Sequence, residues 1–411
     1  MNVRKGLLFC FCVSIILFSR EKSMSQVSAS APQSFVLQQP VTIPFELAGN
    51  HICVRVMVNS VPLWFVFDTG DKFGIIDIAK AKSLGLDMQG QVAVGGGGED
   101  KMSGMFVKGG SFAIPGLDGF AHPILLALPL NSLTEHLGHD FDGIFGADFI
   151  KQFVVELDYN SKTMRLYDKE KFSYSGPGES IPEALNSAGH PTIHAQIAQP
   201  GRDPIEGTFV VDLGSGLSLI LSKPFVESQH IVSPNQKTFS AVVGYGAGGA
   251  SKGLVGRVES LKIGSYVIKR PVTVFSQDSK GAMASDSIQG NIGVEIMHKF
   301  KVILDYAHNR IILEPNSRFS EATEYDMSGL AFIAKGANYH EFIINDVREN
   351  TPASAANLRD GDVLISMDGK PATSYTLDQL HDIFRHEGQH SLSVRRGAET
   401  INVKLTLKRE I

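Results

Sequence analysis

Two short acidic turns hold the residues best suited to chemistry. The first is Phe65-Val66-Phe67-Asp68-Thr69-Gly70. The second, 144 residues on, is Phe209-Val210-Val211-Asp212-Leu213-Gly214. Each ends a run of β-formers with an Asp, one further residue and a Gly. A single Asp, ionised at neutral pH, is a poor acid. Two held together cannot both ionise easily, so they share a proton. One then acts as general base and activates water, the other as general acid, with pKa values that belong to the pair. The flanking residues suit this task. Apolar strands fix the backbone, the Thr69 hydroxyl can hydrogen-bond, and Gly70 and Gly214 permit close approach.

The elements that must position these turns are duplicated. Asp142-Gly143-Ile144-Phe145-Gly146-Ala147-Asp148-Phe149 leads through Phe153 into the apolar run Val154 to Tyr159. Its counterpart, Gln289-Gly290-Asn291-Ile292-Gly293-Val294-Glu295-Ile296, leads through Phe300 into Lys301 to Tyr306, at an offset of 147 residues. The three-residue difference is the size of one loop insertion. Each half reads as strands, acidic turn, strands, Gly-rich stretch, strands, short helix and final hairpin. Residues 147–153 and 294–300 each predict a helix of about two turns with an apolar side. Duplicated β-halves usually form two lobes with a shared site at their junction. Polar residues with two Gly and two Pro around Ser173 to Pro182 read as the linker between lobes. A second boundary falls near Pro315 to Glu324, and the residues beyond it have no counterpart earlier in the chain.

At 411 residues, with 43% hydrophobic and 20% charged, the chain has ample material for two or three packed domains, and its 41 Gly and 25 Phe favour short strands and tight turns. The N-terminus reads as a secretory signal. Arg4 and Lys5 precede a short apolar run, Gly6 to Phe18, and Ser28-Ala29-Ser30 is a plausible cleavage site. The mature protein is therefore expected to be exported, periplasmic or secreted, with no transmembrane span after signal removal. A retained signal anchor is the alternative. Cys10 and Cys12 would leave with the signal. Cys53 then stays alone in the alternating run Ile52, Val54, Val56, Val58, which makes it a strand residue and excludes an internal disulfide. The formal charge of −5 and the lack of a long basic stretch argue against nucleic acid as a partner.

With those motifs in hand, the chain resembles the aspartic peptidases. Asp68-Thr69-Gly70 matches the family's tripeptide. Asp142-Gly143-Ile144-Phe145-Gly146 resembles the paired apolar residues plus Gly that cross behind that loop, and the helix start after it resembles the retroviral-type (retropepsin-like) branch. The likeness covers about residues 36 to 316. It implies Asp68 and Asp212 as the catalytic pair, supported by Thr69, Gly70, Gly214 and Ser215, and a polypeptide substrate lying under a mobile Gly-rich hairpin. Gly95 to Gly98 and Gly244 to Gly249 are the candidates for such a hairpin. Two departures stand out. Leu213 replaces the usual Thr or Ser that helps lock the loops together, with Ser215 adjacent as a substitute. Polar Asn291 replaces an apolar residue. A non-catalytic peptide-binding or scaffold protein on the same framework is the rival reading.

Two other patterns carry less. Gly244 to Gly249 fits G-x-G-x-x-G but opens no helix. His386-Glu387-Gly388-Gln389-His390 fits H-E-x-x-H, yet Gly388 interrupts the helix that a zinc site needs. No metal and no organic cofactor is expected.

Residues 325–411 resemble a PDZ domain, on Thr351-Pro352-Ala353-Ser354-Ala355-Ala356-Asn357-Leu358-Arg359-Asp360-Gly361-Asp362-Val363-Leu364-Ile365 and the Asp368-Gly369 turn. Gly329, Leu330, Ala331 and Phe332 resemble the loop whose N–H groups hold a ligand's terminal carboxylate, with Leu377 to Phe384 as the helix lining the groove. The resemblance implies binding of peptide C-termini by strand addition. The expected organisation is a signal peptide over 1–30, peptidase lobes over 36–170 and 183–316, and a PDZ domain over 325–411. The expected class is all-β: a two-lobed acid-protease β-barrel fold plus PDZ.

Overall fold

The computed structural model describes residues 36–96, 98–120, 125–246 and 248–411, with the two-residue strand Ile16–Leu17. The rest of the signal-like segment and its cleavage site lie outside the described residues. The fold is all-β, two lobes followed by a third, smaller module. In the first lobe His51–Val58 and Val61–Phe67 form a hairpin, Cys53 opposite Val66 and Val58 opposite Val61. The alternation seen in sequence is a burial pattern: Ile52, Val54, Val56 and Val58 are buried, while Arg55 and Met57 face out. Cys53 is buried too, beside Val66, Ile75 and Ile144, because this end of the strand is covered on both faces.

One topological device recurs in each lobe. Gly143–Phe145 threads between the two arms of the first acidic loop, parallel to Val61–Phe67 and antiparallel to Gly74–Asp77. Gly290–Gly293 does the same in the second lobe, parallel to Ile205–Asp212 and antiparallel to Leu219–Leu221. The threading leaves no room for side chains at its glycines: a Cβ on Gly143 would lie 2.5 Å from the Ile75 carbonyl oxygen. Large apolar residues fill the space behind. Phe65, Phe67, Phe145, Phe149, Phe153, Phe209 and Phe300 belong to one core running through both lobes, with Phe145 and Phe149 stacked at 4.4 Å.

The final hairpins of the two halves join each other. Val154–Asp158 pairs with Phe300–Asp305, Val155 opposite Leu304 and Leu157 opposite Val302. Val41–Pro44 and Glu179–Leu185 extend this sheet at either side. The linker expected around residues 173–182 is therefore only partly a linker. From Glu179 it is a strand, Ile181 opposite Ile311, because its backbone pairs with residues 310–313 and completes the sheet between the lobes.

The helices are short. They are α1 (Ile78–Ser83), α2 (Asn131–Leu137), α3 (Ala147–Ile150), α4 (Lys223–Ser228), α5 (Val294–Met297), α6 (Pro352–Ala355) and α7 (Leu377–Phe384). α3 and α5 have four residues each, against the two turns expected. Gln152 and Phe153 donate to the carbonyls of Phe149 and Ile150, three residues back. Such bonds tighten the last turn and aim the chain into the next strand.

The C-terminal module has its own core of Phe332, Ile344, Leu364, Leu380, Phe384 and Val394. Capping boxes start both its helices, Thr351 with Ser354 and Thr376 with Gln379. Asn357 takes a positive φ of 57° at the end of the α6 turn, as its side-chain type allows. α7 ends at Phe384 and a strand begins at Gly388, so His386 and His390 do not share a helix face. Among the described residues no group of three or more His, Cys, Asp or Glu is placed to hold a metal, and no helix is long and apolar enough to cross a membrane.

Asp77 ties local structure to the site. Its carboxylate caps α1 through the N–H groups of Ala79 and Lys80, at 2.9 and 3.0 Å, and accepts the Leu130 N–H just before α2 at 2.9 Å. Asp77→Ala is expected to lower stability by about 2 kcal/mol, measured by urea unfolding.

Candidate active site

The acidic turns meet where the lobes face each other. Asp68 and Asp212 are both buried, 1% and 0% exposed, and each packs on the glycine of the opposite turn. A Cβ on Gly70 would lie 2.6 Å from Asp212 Oδ1, and one on Gly214 would collide with the Asp68 carboxyl. Only glycine lets the loops approach this closely. Each Asp folds back on its own turn: Gly70 N–H donates to Asp68 Oδ1 at 2.7 Å, and Gly214 N–H to Asp212 Oδ1 at 3.0 Å.

Burial sets the protonation of the pair. Loss of water raises both carboxyls. Asp212 is pushed up to about 6, opposed by the Gly214 N–H and the Asn291 amide. Asp68 is pushed well above the ordinary range by burial and then by the charge of Asp212. Two acids so placed hold one proton between them near neutral pH, the state that supplies a base and an acid together.

The lock between the loops is one-sided, as Leu213 implies, yet complete from one side. Thr69 Oγ1 donates to the Val211 carbonyl at 2.6 Å and accepts the Leu213 N–H at 2.9 Å. Leu213 itself is fully buried in the core. Ser215 is buried beside the second turn, with its backbone N–H at Asp212 and its carbonyl accepting the Val294 N–H at 2.8 Å. A second brace, not foreseen from sequence, comes from the turn before the first strand. His51 Nε2 lies 3.1 Å from the Gly214 carbonyl, and Asn50 Nδ2 donates to the Gly216 carbonyl at 3.1 Å.

Two residues touching the pair also escaped the sequence reading. Asp71, fully buried, follows the first tripeptide and brings its backbone N–H to Asp68. It occupies the place of Ser215 in the other lobe, since Ala147 N–H donates to the Asp71 carbonyl as Val294 does to that of Ser215. Asn291, noticed only as an irregularity, donates from Nδ2 to Asp212 Oδ2 at 2.7 Å. Both stand where the two halves of the repeat differ, and that difference was the available signal.

Each lobe also sends out a hairpin. Strands Asp87–Gly95 and Met102–Lys108 form one, Phe239–Gly246 and Gly249–Arg257 the other. Their tips touch: Gly98 bridges Gly248, and the Asp100 N–H donates to the Gly248 carbonyl at 2.8 Å. The side chains around Asp68 are chiefly apolar, with Val66, Leu137, Phe141 and Ile144 joining His51.

Residues 54–149 match the aspartyl protease family model, a span that includes Asp68 but not Asp212, and residues 318–407 match the PDZ domain model. The chain joins an aspartyl protease-like domain to a PDZ domain. Serine protease HTRA1 of Xenopus laevis is 37% identical over 65 residues, which is 16% of this chain and only 14% of that protein. Among solved structures, the aspartic proteinase of Irpex lacteus aligns over 69% of this chain and all of its own, at 13% identity and a TM-score of 0.42. Soybean basic 7S globulin aligns over 69% and 97%, at 9% identity and a TM-score of 0.41.

The PDZ domain is docked on the protease-like lobes through the strand that the sequence reading assigned to peptide. Leu330–Lys335 is an edge strand, and α2 of the first lobe lies against it. Gly138, which ends α2, sits between strand and helix: a Cβ there would be 2.9 Å from Leu377 Cβ and 3.5 Å from Ala334 Cβ. Glu135 pairs with Lys335 at 3.4 Å, and Tyr339 donates to Asp140 at 2.8 Å. Ala331 packs on Val242 of the second hairpin. The loop expected to offer free N–H groups is partly self-satisfied, since Gly329 N–H goes to Asp326 Oδ1 and Leu330 N–H to Ser328 Oγ. A cavity of about 710 Å³ lies beside this junction, lined by His51, Leu137, Glu295, His381 and Arg385 among others, and does not include the acidic pair.

These contacts give two expected outcomes. Thr69→Val removes both cross-loop bonds and strands the Leu213 N–H, so a loss of about 1–3 kcal/mol is expected on urea unfolding. Glu135→Lys with Tyr339→Phe removes two exposed contacts worth together about 1 kcal/mol. Hydrogen exchange over residues 131–138 should then quicken about fivefold by mass spectrometry.

Proposed function

We propose that this protein is an aspartic endopeptidase of the retroviral type, with both lobes in one chain. The observation that carries the reading is the buried pair itself: two carboxyls from equivalent loops, each held by a backbone N–H group, with the Thr69 lock between the loops. Water placed between them gives its proton to the ionised Asp and attacks the peptide carbonyl carbon. The neutral Asp protonates the carbonyl oxygen. Transfer of a proton to the amide nitrogen then lets the C–N bond break. The substrate lies extended under the two joined hairpins, whose tips must part to admit it.

The PDZ domain binds the free C-terminus of a polypeptide, the substrate's own tail or a partner's, by adding a strand to Leu330–Lys335. Such a tail has to displace α2 from that strand. On the reading of residues 1–30 as a signal, the protein works outside the cytoplasm, in the periplasm or secreted. The chemistry draws on the two acids and water alone.

The rival, a peptide-binding protein without activity, makes a different prediction for the same variants. Asp68→Asn and Asp212→Asn should each abolish cleavage of a denatured protein mixture, by about a thousandfold or more. Cleavage by the parent that both variants retain, or none by the parent at any pH from 3 to 8 (a range of roughly five decades of proton activity), favours the rival. Parent activity should rise as pH increases through about 6, where the pair sheds its first proton, and fall again when the second leaves. The same burial sets a stability trend. A carboxyl whose folded pKa lies above its unfolded value of about 3.9 contributes less to stability as pH rises toward the folded value. The Asn variants should therefore melt no lower than the parent near neutral pH, which separates loss of chemistry from loss of fold.

A further inference from the structure

The two halves of the acidic pair are alike in backbone and unlike in side chain. Asp68 is approached by the N–H groups of Gly70 and Asp71, and Asp212 by those of Gly214 and Ser215. These contributions match. The asymmetry comes from the side chains beyond the two turns. Asp212 Oδ2 receives the Asn291 amide at 2.7 Å, from a residue 1% exposed. In the first lobe the same register position, opposite Val66 as Asn291 is opposite Val210, is Ile144, which has nothing to donate. Asp68 Oδ2 has no such donor, and the nearest further acid is the buried Asp71, three residues on.

An amide N–H is a donor at every pH and favours the ionised form of its partner. A carboxyl donates only while it keeps its own proton and repels once it has lost it. We propose that Asn291 sets the polarity of the pair, so that Asp212 carries the negative charge and acts as general base while Asp68 keeps the proton and acts as general acid. Asn291 is a positioning residue: it touches Asp212 and not the substrate. The other groups facing the pair do not reverse this assignment. Tyr306 is buried near Asp68 and held neutral, with Glu183 beyond it. His51 Nε2 meets the second loop at the Gly214 carbonyl, 3.1 Å away. The inference rests on the peptidase reading for its roles of acid and base, and on the hydrogen bonds alone for where the charge sits.

The test is Asn291→Leu in the full chain, read by the pH profile of kcat/KM and by the carboxyl carbon resonances of 13C-labelled Asp. Loss of the amide should move the acidic limb up by about one pH unit, a tenfold loss of rate below it, and leave the alkaline limb in place. The resonance that disappears in Asp212→Asn should be the lower-titrating of the pair in the parent, and should move up in Asn291→Leu. A shift of the alkaline limb in place of the acidic one overturns the assignment. So does an Asp212 resonance that titrates above that of Asp68, or one that Asn291→Leu leaves unmoved. The resonances decide the matter even if no peptide is cut, so failure of the peptidase reading and failure of this one are distinguishable. If Asn291→Leu does not fold, Ile144→Asn offers Asp68 the mirror-image donor. It should lower the Asp68 resonance's titration by about one unit, and no change there counts against the proposal.

Discussion

Burying two carboxyl groups against each other is the constraint on which the rest of this structure depends. Each loses the hydration that makes it an ordinary acid, and each resists the ionisation of the other. The arrangement holds only if the backbone carrying them cannot relax. Threaded strands Gly143–Phe145 and Gly290–Gly293 wedge both arms of each loop. Phenylalanines fill the space behind them. Across the junction, Thr69 bonds the opposite loop twice, and the sheet shared by the final hairpins prevents the lobes from sliding. Gly70 and Gly214 are glycine because the facing carboxyl occupies the space a side chain needs.

The duplication is structural more than chemical. Backbone features repeat closely: the turn, the threading, the one-turn helices α3 and α5, the Gly-tipped hairpin. Side chains at equivalent places diverge, Thr69 against Leu213, Asp71 against Ser215, Ile144 against Asn291. Each divergence lies within contact of the acidic pair or its lock. A single chain can divide labour between its halves in this way, because each copy of a position is free to differ.

The PDZ domain shares this economy of contact. Its edge strand is spent on α2 and on the hairpin of the second lobe, and α2 in turn contributes Leu137 to the apolar wall beside Asp68. His136 of α2 also meets Tyr245 of that hairpin, ring centroids 5.2 Å apart. The PDZ domain and the apolar side chains beside Asp68 thus share α2 as a common neighbour.

Much of this was legible in the chain. Alternation in residues 51–58 gave a strand, a duplicated Asp-x-Gly gave a site with two contributors, and Gly388 ruled out a helix carrying two zinc-binding histidines. These are local facts, fixed by the period of burial and by what each residue type can do with its backbone. The misreadings were also local in origin. Helices α3 and α5 were expected twice as long because the apolar spacing runs on into the following strand, and residues 179–182 looked like linker because their pairing partner lies at 310–313. What only the tertiary structure decided were contacts between residues far apart in sequence: the 2.7 Å bond from Asn291 to Asp212, the Thr69 lock on the opposite loop, and α2 laid against the PDZ edge strand. A sequence states which groups are present and which way a strand alternates. It does not state which buried donor ends opposite which acid, because that depends on packing the whole core, and burial then fixes the protonation on which the chemistry depends.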